Sequence, residues 1–168
     1  MHHIIFIMGV SGSGKTTTGK LLAERIHLPF FDADDYHSPA NIEKMKAGSP
    51  LTDADRQNWL QTMNQLAIQQ QTKKGAVIAC SALKQSYRDV LQKKIVLSRW
   101  FFLEGSQELI LERMQKRKGH FMPPALLQSQ LDLLEPPASA ITIPIDKDPS
   151  TIVSTILECI PADWEKKE

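Results

Sequence analysis

Lys15 and Thr16 close the run Gly9-Val10-Ser11-Gly12-Ser13-Gly14-Lys15-Thr16, which fits G-x-x-x-x-G-K-[ST] at every constrained position. Glycines followed by a lysine and a hydroxyl suit the holding of a polyphosphate. Backbone N–H groups from Gly9 through Gly14 can wrap the phosphates, and Lys15 can reach the β- and γ-phosphates. The Thr16 hydroxyl can ligate Mg²⁺, and Thr17 completes the candidate contacts. A second group of reactive type follows in Phe31-Asp32-Ala33-Asp34-Asp35. Phosphoryl transfer to an alcohol wants a carboxylate beside the attacking hydroxyl and little other covalent help. Asp32 and Asp34 sit two apart at the end of an expected strand, so their side chains should point to opposite faces of it. The plainer reading is that these aspartates cap the helix that follows.

The elements around these residues have the right order. Ile4 to Met8 is an unbroken apolar run, as expected of a strand buried on both faces. Thr17 to Ile26 reads as a helix, so the chain runs strand, glycine loop, helix, and aims a helix N-terminus at the phosphates. Strands are expected over 29–32, 76–80, 99–103 and 141–145. Helices are expected over 40–46, 85–91, 107–118 and 151–160. Thr52 and Asp55 have capping-box spacing ahead of a long helix carrying Trp59, Leu60, Met63, Leu66 and Ala67. This alternation predicts an α/β fold of three layers, a central parallel sheet flanked by helices, in one domain over 1–168.

Composition narrows the class. The 168 residues carry a net charge of +1 and are 42% apolar and 23% charged, ordinary for a soluble globular domain. No basic excess marks a nucleic-acid surface, and no run is long enough to span a membrane. Met1-His2-His3 does not open a secretory signal, and Cys80 and Cys159 form no C-x-x-C pair, so reduced thiols in the cytoplasm are expected. The guanine-selecting N-K-x-D and the D-x-x-G switch of GTPases are both missing. The one Walker B candidate, Phe30-Phe31-Asp32, comes very early, as in small-molecule and nucleotide kinases.

Together, several segments make the chain resemble gluconokinases. They are the phosphate loop from Met8 to Thr16, Phe31-Asp-Ala-Asp34 with His37, Asn41 to Gly48, and Pro50-Leu-Thr-Asp-Ala-Asp-Arg56 running to Trp59-Leu60. To these are added Cys80-Ser-Ala-Leu-Lys84 with Tyr87-Arg88-Asp89, and Arg117-Lys-Gly-His-Phe-Met-Pro123 running on to Leu134-Glu-Pro136. The resemblance covers most of the chain from Met8 to about Pro137. It departs at Asn58, where a proline is expected before Trp59, and at Leu131, where an aromatic is expected after Ser129-Gln130.

The resemblance implies a nucleoside-monophosphate-kinase-like fold with a mobile lid at about 117–135, ATP and Mg²⁺ as cofactors, and often a homodimer. It implies phosphorylation of D-gluconate at its 6-hydroxyl, with Asp32 supporting Mg²⁺ opposite Thr16 and Asp34 taking the hydroxyl proton. A polyhydroxylated carboxylate needs a cation and directional polar groups. Arg56 stands first among the candidates, at a helix start where a guanidinium and a helix N-terminus can converge on a carboxylate. His37, Ser81, Lys84, Arg88 and His120 are the others. Arg113 and Arg117 share a helix face that leads into the lid, and Arg117, with Arg113 beside it, is expected against the triphosphate or adenine. The adenine is expected near Asp146 to Pro149 by analogy of fold. A kinase for another acceptor, such as shikimate, a nucleoside monophosphate or another sugar acid, and a nucleotide-dependent regulatory module are the alternative readings.

Overall fold

The computed structural model describes residues 1–116 and 123–161, the side chain of Pro124 excepted. Five parallel strands, β1 (Ile4–Met8), β2 (Phe30–Asp32), β3 (Ala76–Ala79), β4 (Ser98–Glu104) and β5 (Ile141–Pro144), form one sheet in the order β2-β3-β1-β4-β5. Seven α-helices are described: α1 (Lys15–Arg25), α2 (Pro39–Lys46), α3 (Asp53–Gln71), α4 (Gln85–Gln92), α5 (Gln107–Lys116), α6 (Leu127–Leu133) and α7 (Pro149–Glu158).

The period of two along the strands sorts the core into two halves. On one face Ile5, Ile7, Val77, Phe101 and Leu103 meet Leu22 of α1, Ile110 and Met114 of α5, and Ile152 and Ile156 of α7. On the other, Ile4, Phe6, Met8, Ile78, Trp100 and Phe102 meet Trp59, Leu60 and Met63 of α3 and Tyr87 and Leu91 of α4. All five β1 side chains are fully buried. Burial of this kind is worth about 1.5–3 kcal/mol for each large apolar side chain. The central strand is therefore firmly held, and the phosphate loop leaves directly from its end.

Two differences from the sequence reading bear on the site. First, β2 stops at Asp32 and residues 33–36 form a 3-10 turn, so Asp34 is not on a strand and the two aspartates are not divided between its faces. The cause is local: the Asp32 carboxylate accepts the Asp34 N–H at 3.0 Å and caps the turn, a competition for backbone donors that aspartate commonly wins. Second, residues 127–133, expected as part of the lid, form α6, and its Leu127 is buried in the core beside β1 and α5. Elsewhere the capping box closes as expected. Asp55 N–H donates to Thr52 Oγ1 at 3.2 Å, and Thr52 N–H donates to Asp55 Oδ2 at 2.7 Å. Asn58 is exposed on α3 and Leu131 packs half-buried against the core, so both departures from the family pattern are accommodated.

Candidate active site

The phosphate loop is shaped by glycines where nothing larger fits. Gly12 has φ +83°, and a Cβ there would lie 2.6 Å from Met114 Cγ and 3.1 Å from the Ile110 carbonyl, which seats the loop on α5. Gly14, with φ +95°, is the N-cap of α1. The first turn of α1 carries no acidic residue, so its amides and positive dipole end are left for an anion. Lys15 Nζ donates to the Val10 carbonyl at 3.1 Å, folded back along the loop. Thr16 Oγ1 donates to Asp32 Oδ2 at 2.5 Å.

Beside the loop, one cleft is lined by Ser11, Gly12, Gly14, Lys15, Thr16, Asp34, His37, Arg56, Ser81 and Gln130, with apolar walls from Met45, Leu51, Trp59 and Leu83. Five of the candidate acceptor-side and catalytic residues, Lys15, Asp34, His37, Arg56 and Ser81, thus converge on one space. The 3-10 turn that carries Asp34 is pinned from behind, because Trp59 Nε1 donates to the Ala33 carbonyl at 2.7 Å. Arg56 is buried, with Nη1 donating to the Leu51 carbonyl at 2.5 Å and lying 3.5 Å from the Tyr87 hydroxyl. Its guanidinium sits over the Tyr87 ring, 5.6 Å from the centroid. His37 stacks on Trp59, and its Nδ1 is buried with no hydrogen-bond partner among the described residues. Burial, assisted by the Arg56 charge, pushes its pKa down to about 4, so the ring is neutral near pH 7. A neutral, unsatisfied imidazole nitrogen suits a hydroxyl group better than a carboxylate.

Lys84 and Arg88 do not line this cleft. Lys84 pairs with Asp53 at 2.9 Å, and Asp53 is held below the ordinary carboxylate range by hydrogen bonds from Tyr87 and then Lys84. That network ties the start of α3 to α4. Arg88 is 4% exposed and spends its donors on the chain itself. Nη1 donates to the carbonyls of Ala82 at 2.8 Å and Leu83 at 3.2 Å, Nε and Nη2 to Gln85 Oε1 at 3.2 and 3.0 Å, and Nη2 also to the Glu135 carbonyl at 3.0 Å. Ala82 has φ +46°, a left-handed conformation for a residue with a Cβ, so the Arg88 bonds hold a strained turn between two cleft residues. Both cations therefore shape the wall that presents Ser81 and Leu83.

On the other side of the loop, a second recess is lined by Gly12, Ser13, Gly14, Thr17, Thr18, Arg113, Pro149 and Ile152. Arg113 Nη2 donates to the Ile145 carbonyl at 2.6 Å, which brings α5 against the chain leaving β5. The expected adenine segment, Asp146 to Pro149, borders this recess through Pro149. Arg117 and His120 lie outside the described residues, as do Phe121 and Met122 of the same motif and Trp164 of the tail. Cys80, just before Ser81, is fully buried, and burial pushes its thiol up to about 12, so it is an inert neighbour. No helix among the described residues is long and apolar enough to cross a membrane.

Gln130 was not among the site residues the sequence suggested. Its Oε1 accepts the Ser11 N–H of the phosphate loop at 2.7 Å across 119 positions of chain. Ser129-Gln130 carried a signal only as the neighbour of a departure at Leu131, and a glutamine on a short helix does not betray its partner. Leu51, Trp59 and Tyr87 were likewise visible only as core or motif positions.

A parallel sheet in this order, a glycine loop running into α1, and an acidic turn facing the loop across a cleft define a small P-loop kinase. The family model of shikimate kinase matches residues 11–160. A probable gluconokinase of Xenopus tropicalis is 45% identical over 91% of this chain and 90% of its own length. The thermoresistant gluconokinase of Escherichia coli K12 is 39% identical, covering 95% and 94%. The crystal structure of a gluconokinase from Sinorhizobium meliloti 1021 superposes with a TM-score of 0.84 at 41% identity, covering 93% of this chain and 90% of that one. The chain belongs to the gluconokinase family, a branch of the wider shikimate-kinase-like fold.

Proposed function

We infer that this chain transfers the γ-phosphoryl group of ATP to the 6-hydroxyl of D-gluconate, giving 6-phospho-D-gluconate and ADP. The observation that carries the reading is the single cleft in which the phosphate loop, with Lys15 and Thr16, faces Asp34, His37, Arg56 and Ser81. Gluconokinase relatives of nearly equal length supply the acceptor.

The chemistry follows from the donors present. Arg56, already oriented by Leu51 and Tyr87, offers its remaining N–H groups to the gluconate carboxylate. His37 Nδ1 and the Ser81 hydroxyl meet gluconate hydroxyls, and Trp59 and Leu83 cover the carbon chain. Asp34 orients the 6-hydroxyl and takes its proton as that oxygen bonds to phosphorus and the bond from the γ-phosphorus to the β–γ bridging oxygen breaks. Amides of the Gly9–Gly14 loop other than those of Ser11 and Ser13, with Thr17 beside them, cradle the phosphates, and Lys15 swings from the Val10 carbonyl to the β- and γ-phosphates. Arg113, with Arg117, balances charge on the triphosphate, and His120 approaches gluconate from a lid confined to the residues ahead of α6. Lys84 and Arg88 act on gluconate through the wall they brace.

The residues also fit Mg²⁺. The Thr16 hydroxyl and Asp32 carboxylate, 2.5 Å apart at the loop edge, are hard oxygen donors of the kind this ion takes together with substrate phosphates. They would hold it, and it would neutralise charge between the β- and γ-phosphates. The family resemblance further supports one kinase domain over 1–168, working as a homodimer in the cytoplasm. An acceptor panel tests the reading. With Mg-ATP, D-gluconate should support ADP release while other sugar acids, shikimate and AMP should not, and turnover on a different member of the panel would replace the acceptor.

A further inference from the structure

Gln130 joins the two halves of the cleft. On one side its Oε1 takes the Ser11 N–H, the third position of the phosphate loop, with Ser11 and Gln130 6% and 8% exposed. On the other, the chain leaving α6 is fastened to the acceptor wall. Glu135 N–H donates to the Leu83 carbonyl at 2.8 Å, the Glu135 carbonyl accepts from Arg88 at 3.0 Å, and Glu135 Oε2 accepts the Gln85 N–H at 2.6 Å. α6 is only seven residues long and has no side-chain N-cap, so its own propensity holds it weakly. Its fixed points are Leu127 in the core, Gln130 on the loop and Glu135 on the wall.

We propose that Gln130 is a positioning residue for phosphoryl transfer, holding the Ser11 amide so that the phosphate loop keeps a set distance from the wall that presents Ser81 and Leu83. It rests on the phosphoryl-transfer reading above. The physical basis is the requirement that a buried backbone N–H be paired. Ser13 N–H is satisfied inside the loop by the Val10 carbonyl at 3.2 Å, but Ser11 N–H points the other way and is paired from α6. Without that partner the loop can turn Ser11 toward water or toward the nucleotide. Either rotation moves the Gly12–Gly14 amides relative to Asp34. Misplacement by about 1 Å costs on the order of 10²-fold in rate even where no reacting group is lost.

The test uses Gln130→Met, which keeps length and bulk but has no acceptor oxygen, and Gln130→Glu, which keeps an oxygen in the same place. In the whole protein labelled with ¹⁵N, the Ser11 amide should exchange about 10-fold or more faster in the Met variant, matching loss of one buried hydrogen bond. Amides of β1 should be unchanged. The Glu variant should keep Ser11 protected. In steady-state kinetics the Met variant should lose about 10- to 100-fold in kcat while KM for gluconate stays within about 2-fold of wild type. An unchanged kcat in the Met variant overturns the proposal, and so does a raised gluconate KM alone, or wild-type exchange at Ser11. Should the Met variant not fold, loss of Ser11 protection in a folded Glu variant overturns it equally. Failure of the wild-type protein to phosphorylate gluconate would instead remove the acceptor assignment, and the exchange measurement would still decide whether Gln130 holds the loop.

Discussion

His37 lies on Trp59 with ring centroids 4.3 Å apart and planes 14° from parallel. The stack removes the imidazole from water, and the nearby Arg56 charge opposes its protonation, so its pKa falls from 6.5 to about 4. The folded protein then binds fewer protons here than the unfolded chain. This contribution to stability is complete above pH 6.5 and is lost as pH falls toward 4. At pH 4.5 the loss should be about 2–3 kcal/mol. His37→Phe keeps a flat ring on Trp59 but cannot titrate. Denaturant midpoints at pH 7 and pH 4.5 should differ less in that variant, and an equal difference would remove His37 as the cause.

Asp34 reaches the cleft because Asp32 caps the turn, not because a strand directs it there. Asp34→Asn keeps the size and removes the proton acceptor, so kcat should fall by about 10²- to 10⁴-fold. KM for ATP should barely move. Steady-state kinetics with both substrates varied separates this from a structural effect, which would lower the melting temperature as well.

Arg56 is held by Leu51 and Tyr87 and lines the cleft. Arg56→Lys keeps a positive charge but not the planar fork, so gluconate KM should rise by about 10-fold or more with a smaller change in kcat. Isothermal titration with gluconate should report the same loss.

Arg88 bridges Ala82, Leu83, Gln85 and Glu135. Arg88→Met should take a donor from the carbonyls of Ala82, Leu83 and Glu135, of which Leu83 keeps the Glu135 N–H, and release the strained turn at Ala82, costing about 2–4 kcal/mol. Chemical denaturation measures it. A gluconate KM raised without any loss of stability would instead mean that Arg88 meets the substrate.

The α/β order, the capping box and the phosphate loop were legible because each is written in local spacing. A buried strand needs consecutive apolar residues, a helix start needs Thr52 and Asp55 three apart, and the loop needs its glycines and Lys15 in fixed order. Asp34, His37, Arg56 and Ser81 could be picked out by their residue types and motif neighbours. Their convergence depends on how β2, α3 and β3 pack, which no local spacing encodes. Arg88 looked the same from sequence as Arg56, since a guanidinium that lines a cleft and one spent on the chain behind it leave the same letter. Gln130 was hidden for the converse reason: its partner Ser11 is 119 positions away and contributes only a backbone N–H.

Transfer from ATP to one hydroxyl of gluconate leaves its record in the product. ³¹P and ¹³C spectra of the product formed from Mg-ATP and D-gluconate test it most directly, with Lys15→Ala alongside. A phosphomonoester on carbon 6 should form in amounts equal to the ADP released, and neither product should come from the Lys15→Ala protein. ADP without a phosphorylated gluconate, or a phosphoryl group on another carbon, would contradict it.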